Sequence, residues 1–75
     1  MDISVRAKFT VTEIHQLQWG KRIVLQPQYD QKLAEDVSFS KATPSGRMEM
    51  VIDNPTAIER MPLGKTFYVD FTLVE

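Results

Sequence analysis

Cysteine is absent from this 75-residue chain, which excludes disulfide staples and thiolate metal sites. The single histidine, His15, has no neighbouring ligands with which to build a zinc site. With no cysteine and one imidazole, a nucleophile–base triad has little to draw on. No apolar run reaches the roughly 18 residues that a membrane-spanning helix needs. The opening Met1-Asp2-Ile3-Ser4 lacks the basic and apolar stretches of a secretory signal, so a cytoplasmic setting is expected. Charge of one sign is also missing. The net charge of −1 argues against a strongly basic nucleic-acid binder and against an acidic disordered tail. Internal repeats and low-complexity tracts are absent as well.

Residues 1–75 read as a single domain. A chain of this size buries only about 60% of the surface its unfolded form exposes, so its own core leaves it marginal. With disulfides and metals excluded, association with further copies is the remaining support. A homo-oligomer is therefore expected.

What is present is alternation. Ile3, Val5, Ala7, Phe9 and Val11 share one parity, and Ser4, Arg6, Lys8, Thr10 and Thr12 share the other. This is the period of a half-buried strand from Ile3 to Thr12. The next apolar residue, Ile14, breaks the parity, and a bulge near Thr12-Glu13 would restore it. His15 to Lys21 reads as a connection turned by Gly20, and Lys21 to Gln28 as a second strand with Ile23 and Leu25 inward. Pro27 marks that strand's end or an edge. Tyr29 to Gly46 is irregular, ending in Thr43-Pro44-Ser45-Gly46, a strong turn signal. Within it, either a short helical turn around Gln31 to Ala34 or a further strand between Asp30 and Thr43 is conceivable.

Arg47 to Asp53 alternates again, with Met48, Met50 and Ile52 inward. Asn54-Pro55 then supplies an N-cap and a first helical residue for a short helix reaching Met61. The last strand, Lys65 to Val74, sets Phe67, Val69, Phe71 and Leu73 against Thr66, Tyr68, Asp70 and Thr72. The two terminal strands should be the longest. Phe9, Phe67, Val69 and Phe71 are the expected core. The fold class expected is mainly β with one short helix, in the order strand, strand, strand, helix, strand. That order fits a small OB-like barrel or a compact twisted antiparallel sheet.

Four stretches carry a resemblance: Arg6 to Glu13, Lys41 to Gly46, Asp53-Asn54-Pro55, and Gly64 to Thr72. Together they resemble a group of small proteins encoded by tailed bacteriophages. The resemblance implies a phage product acting in the cytoplasm of an infected bacterial host, or in the virion. It brings no activity and no site residues with it.

Candidate chemistry concentrates in two clusters. Thr43, Ser45, Gly46 and Arg47 could form a backbone anion nest with a forked guanidinium donor. The plainer reading is a turn that feeds a strand, with Arg47 paired to a neighbouring acid. Trp19, Lys21 and Arg22 could stack a base and neutralise its phosphate, with Arg6, Lys8 and Tyr68 extending that surface. The plainer reading there is that Trp19 caps the core. Asp53 and Asp70 fall on outward parity and do not converge as a catalytic pair, so an enzyme is not expected, nor a cofactor or metal. The function expected is a homo-oligomeric binding module that captures a small anionic or nucleotide-like ligand, such as a host signal that the phage sequesters. The alternatives are a single-stranded nucleic-acid binder and a minor virion or assembly component.

Overall fold

The computed structural model describes residues 5–42 and 45–74, with the backbone alone described at Val5. Ile3 of the expected first strand and Thr43-Pro44 of the expected turn lie outside the described residues. Strand β1 is Val5–Gln16 and β2 is Lys21–Gln26. Helix α1, Ala34–Ala42, precedes strand β3, Met48–Ile52. Helix α2 is Pro55–Glu59 and strand β4 is Thr66–Phe71. The strands form one four-stranded sheet in the order β3-β2-β1-β4, with every neighbouring pair antiparallel. The fold is mainly β, a curled half-barrel with helical additions.

Strand β1 is shared. Its first half pairs with β4, from Val5 opposite Phe71 to Thr10 opposite Thr66. Its second half pairs with β2, from Thr10 opposite Gln26 to Gln16 opposite Lys21. The β1–β2 register slips between Val11 and Glu13, which leaves Thr12 as the bulged residue. The extra residue lets Ile14 face the same side as Val11 despite their odd spacing. The Thr12 hydroxyl donates to the Gln26 side chain at 3.1 Å, which ties the bulge to β2.

The core lies on the inner face of the curl. Ala7, Phe9, Val11, Ile23 and Leu25 are buried, and Met48, Met50, Ile52, Met61, Phe67 and Val69 pack around them. Parity along β4 follows the sequence pattern, but Phe71 is 50% exposed and is not core. It pairs with Val5 at the end of the ladder, beyond the inner-face cluster of the described residues. Strand β4 is likewise shorter than expected, and only β1 is long. Pro27 follows the last residue of β2, as its missing amide requires.

The irregular segment after Tyr29 holds a helix of nine residues rather than a strand or a single turn. The backbone turns at Asp30, whose carbonyl accepts from Leu33 N–H, and the helix follows. Helix α2 starts as its sequence dictates: the Asn54 side chain accepts from Thr56 N–H at 2.9 Å, and Pro55 takes the first turn. Gly20 closes the β1–β2 hairpin with φ 77°, and a Cβ there would stand 2.3 Å from the carbonyl oxygen of Ile52. Both the conformation and the space demand glycine.

Phe9→Ala should cost about 3–5 kcal/mol, a large part of a small domain's stability, and more than Phe71→Ala. Urea denaturation compares the two directly. Gly20→Ala should lower the melting temperature more than Gly64→Ala, because Gly64 shares a positive φ but has open space around its Cα.

Candidate functional site

The outer face of the sheet is polar, and its charges fall into two networks. The first lies over β4 and the first half of β1. Arg6 donates to Asp70 through Nε at 2.6 Å and Nη2 at 3.0 Å, the forked geometry that suits guanidinium and carboxylate. The same guanidinium lies 5.0 Å from the Tyr68 ring centroid. The Tyr68 hydroxyl donates to Glu35 at 2.9 Å, and the Phe39 ring stands 6.2 Å from the Tyr68 ring. Lys8 donates to Glu35 at 2.9 Å and to Asp36 at 2.5 Å. Asp36 is buried, and its second oxygen accepts from the Asp30 N–H at 2.7 Å. The chain of contacts runs from Asp70 to Asp30 and fastens α1 to the sheet.

The acids and cations of this network hold one another ionised. The Asp30 amide, and then Lys8, keep the Asp36 carboxyl below its ordinary range. Lys8, and then Tyr68, do the same for Glu35. Arg6 lowers Asp70. The Lys8 ammonium is pushed above the usual lysine range by Asp36 and then Glu35. Glu35 in turn raises the Tyr68 phenol.

Beside this network a cleft of about 400 Å³ opens between residues 28–33, α1 and the strands β1 and β4. Its volume lies within the range of small-molecule sites, from about 300 Å³ upward. Four of the polar side chains lining it are engaged with one another. Lys8 is held by Asp36, and the hydroxyls of Thr10 and Thr66 share a 2.8 Å hydrogen bond.

The second network crosses β1, β2 and β3. Glu13 and Glu49 stand on either side of Val24 in the ladder. Arg47 donates to Glu49 at 2.8 Å and lies 3.5 Å from Glu13. The guanidinium thus bridges the two carboxylates across Val24, whose exposure is 0%. His15 joins Glu13 at 2.7 Å, and Arg22 approaches Glu49 at 3.7 Å. The His15 contact, with Arg47 behind it, lowers the Glu13 carboxyl, and Arg47 lowers Glu49.

The residues singled out in the sequence are divided by this geometry. Arg47 is held by two acids and serves as a clamp over Val24. Ser45 and Gly46 are exposed, with Gly46 against the Phe9 ring at the rim of the core. Thr43 is outside the described residues. Trp19, at 73% exposure, projects from the β1–β2 hairpin and does not cap the core. Lys21 and Arg22 follow it in β2, opposite Ile52 and Val51, whereas Ser45 and Gly46 precede the other end of β3. Within one protomer, Trp19 and Lys21 therefore lie at the opposite end of the β2–β3 ladder from Ser45 and Gly46, whereas Arg22 and Arg47 meet on Glu49. Arg6, Lys8 and Tyr68 do share the outer face, but the network over β4 holds them. Alternation identified their facing. Glu35 and Asp36, their partners from α1, carry no periodic signal and read as solvated loop charges.

No family model, curated protein or solved structure matches the chain. Among the described residues, no group of three or more histidines or acids is arranged to hold a metal ion.

Carboxylates held below their ordinary range contribute stability that is fully present above the unfolded pKa, near 4, and is lost as pH falls through the folded values. Lys8, held above its ordinary range, contributes below about pH 10 and loses that contribution as pH rises through its folded value. Melting temperature should therefore be level around neutrality and fall below about pH 4. Lys8→Met should move the acid limb toward higher pH, because Asp36 and Glu35 lose the ammonium that holds them low. Arg47→Ala should lower the melting temperature by uncovering Val24, with Arg47→Lys recovering part of the loss. Thermal melts across pH check all three.

Proposed function

We propose that this chain is a non-catalytic, self-associating binding module of the small phage type, acting by stoichiometric assembly in an infected bacterial host or in the virion. The observation that carries the reading is how much surface the protomer leaves open. Its accessible area is 5579 Å², against roughly 4700 Å² for a compact monomer of its mass. The Cα radius of gyration is 13.7 Å, where a compact domain of this length has about 11 Å. One dimension measures only 18 Å, against 39 and 35 Å for the other two. Large apolar side chains remain outside, with Phe71 at 50%, Leu73 at 72% and Val74 at 92% exposure along one stretch. Light scattering at micromolar concentration should give a mass at least twice the 8.6 kDa of the chain. The mass of a single protomer would falsify the reading.

A small anionic or nucleotide-like ligand is the second reading, and one observation favours it. Trp19 is exposed beside Lys21, which forms no ion pair among the described residues. A flat indole face next to a cation suits a base and its phosphate. Trp19 is the only tryptophan, so its fluorescence reports the site alone. Titration with ATP and with oligothymidylate should quench it. An unchanged spectrum with both would overturn this second reading.

A further inference from the structure

The two edges of the sheet are protected very unequally. Strand β3 is five residues long, carries the Arg47–Glu49 ion pair, and has α2 packed against it. Short length, charge and a covering helix are the devices by which proteins keep an edge from pairing. Strand β4 is six residues long, and among the described residues α1 meets it at Tyr68 on the outer face, without the packing that α2 gives β3. Residues 66–74 contain no proline or glycine, and the one charge among them, Asp70, is neutralised by Arg6. Their alternation of β-branched and aromatic residues runs on past the end of the strand. An edge of this kind is a template for another strand.

We infer that the β4 edge is where a second copy of the chain adds, through an antiparallel β4–β4 pair about a two-fold axis at Val69. This rests on the self-association reading above and names its surface. The register follows from what each choice brings together. Centred on Val69, the pair sets Phe67 opposite Phe71 of the second copy on the inner face, with the two Val69 side chains adjacent. On the outer face Tyr68 stands opposite the neutralised Asp70 of the second copy, and Thr66 opposite Thr72. Centred on Asp70, the pair would oppose two carboxylates, which is destabilising. Centred on Tyr68, it would set Phe71 against Lys65. The Val69 register covers the exposed Phe71 and turns two open half-barrels into one continuous sheet of eight strands. The protomer's surplus of about 900 Å² over a compact monomer is close to the roughly 800 Å² that each partner contributes to a standard interface. A two-fold contact between identical edges closes on itself and stops at the dimer.

Sedimentation velocity on the wild type, on Phe71→Lys/Leu73→Lys and on Val51→Lys provides the test. The wild type and Val51→Lys, which is altered next to the β3 edge, should sediment as dimers. The double variant should sediment as a monomer with an unchanged circular dichroism spectrum. Val69→Cys supplies a second measurement that needs no disruption, since the chain has no other thiol. Cross-strand neighbours in a non-hydrogen-bonded antiparallel pair stand within disulfide reach. Mild oxidation should therefore link this variant into covalent dimers. A dimeric double variant, or an unlinked Val69→Cys in a dimeric background, overturns the β4 edge and leaves self-association standing. If the double variant unfolds, the cysteine result decides. A monomeric wild type overturns both.

Discussion

One inserted residue in β1 sets the geometry of everything else. Strand β1 is 12 residues long and serves two partners, β4 along its first half and β2 along its second. A strict two-residue period over that length would send Ile14 to the polar face. The bulge at Thr12 resets the facing, and it also adds local twist where the strand passes from one partner to the other. Val11, Ile23 and Leu25 lie together in the core on the inner face of the curled sheet. The small core follows from this economy: a single curled sheet encloses less than two packed layers do.

The outer face shows what the cations do. In a chain with nine basic and ten acidic side chains, residues such as Arg6, Lys8 and Arg47 look available for an anionic ligand when read one at a time. Each is placed against a carboxylate by strand pairing or helix docking. Arg6 meets Asp70 because the two are cross-strand partners. Arg47 meets Glu13 and Glu49 because the ladder lines up those acids on either side of Val24. A basic residue facing solvent on a strand therefore says little about ligands until the opposite strand is known. The indole of Trp19, by contrast, stands exposed at the hairpin.

Much of the sheet was legible from alternation, since burial on one face imposes a period of two on β1, β3 and β4. The broken parity between Val11 and Ile14 marked the bulge, and Asn54-Pro55 marked a helix start, each through a local steric rule. Helix α1 was not legible. Its nine residues include Ser38 and Ser40 and lack a clean apolar stripe, and it is fastened largely by polar contacts from Lys8 and Tyr68. Such contacts join residues 27 to 33 positions apart, beyond the reach of any periodic pattern. Phe71 misled for a different reason. Periodicity tells which face a side chain takes, but not whether the core extends that far along the strand. The Arg47 clamp was anticipated only as a pairing with some neighbouring acid, because choosing Glu13 requires the register of a strand more than 30 residues away.

The pairing of Val5 with Phe71 has a topological consequence. The chain enters β1 and leaves β4 at adjacent points, with the two Cα atoms about 5 Å apart, as in any antiparallel pair. The unit therefore behaves like a loop closed at its neck. A segment closed in this way has the geometry of a unit that can sit within a surface turn of another domain without prising that turn apart.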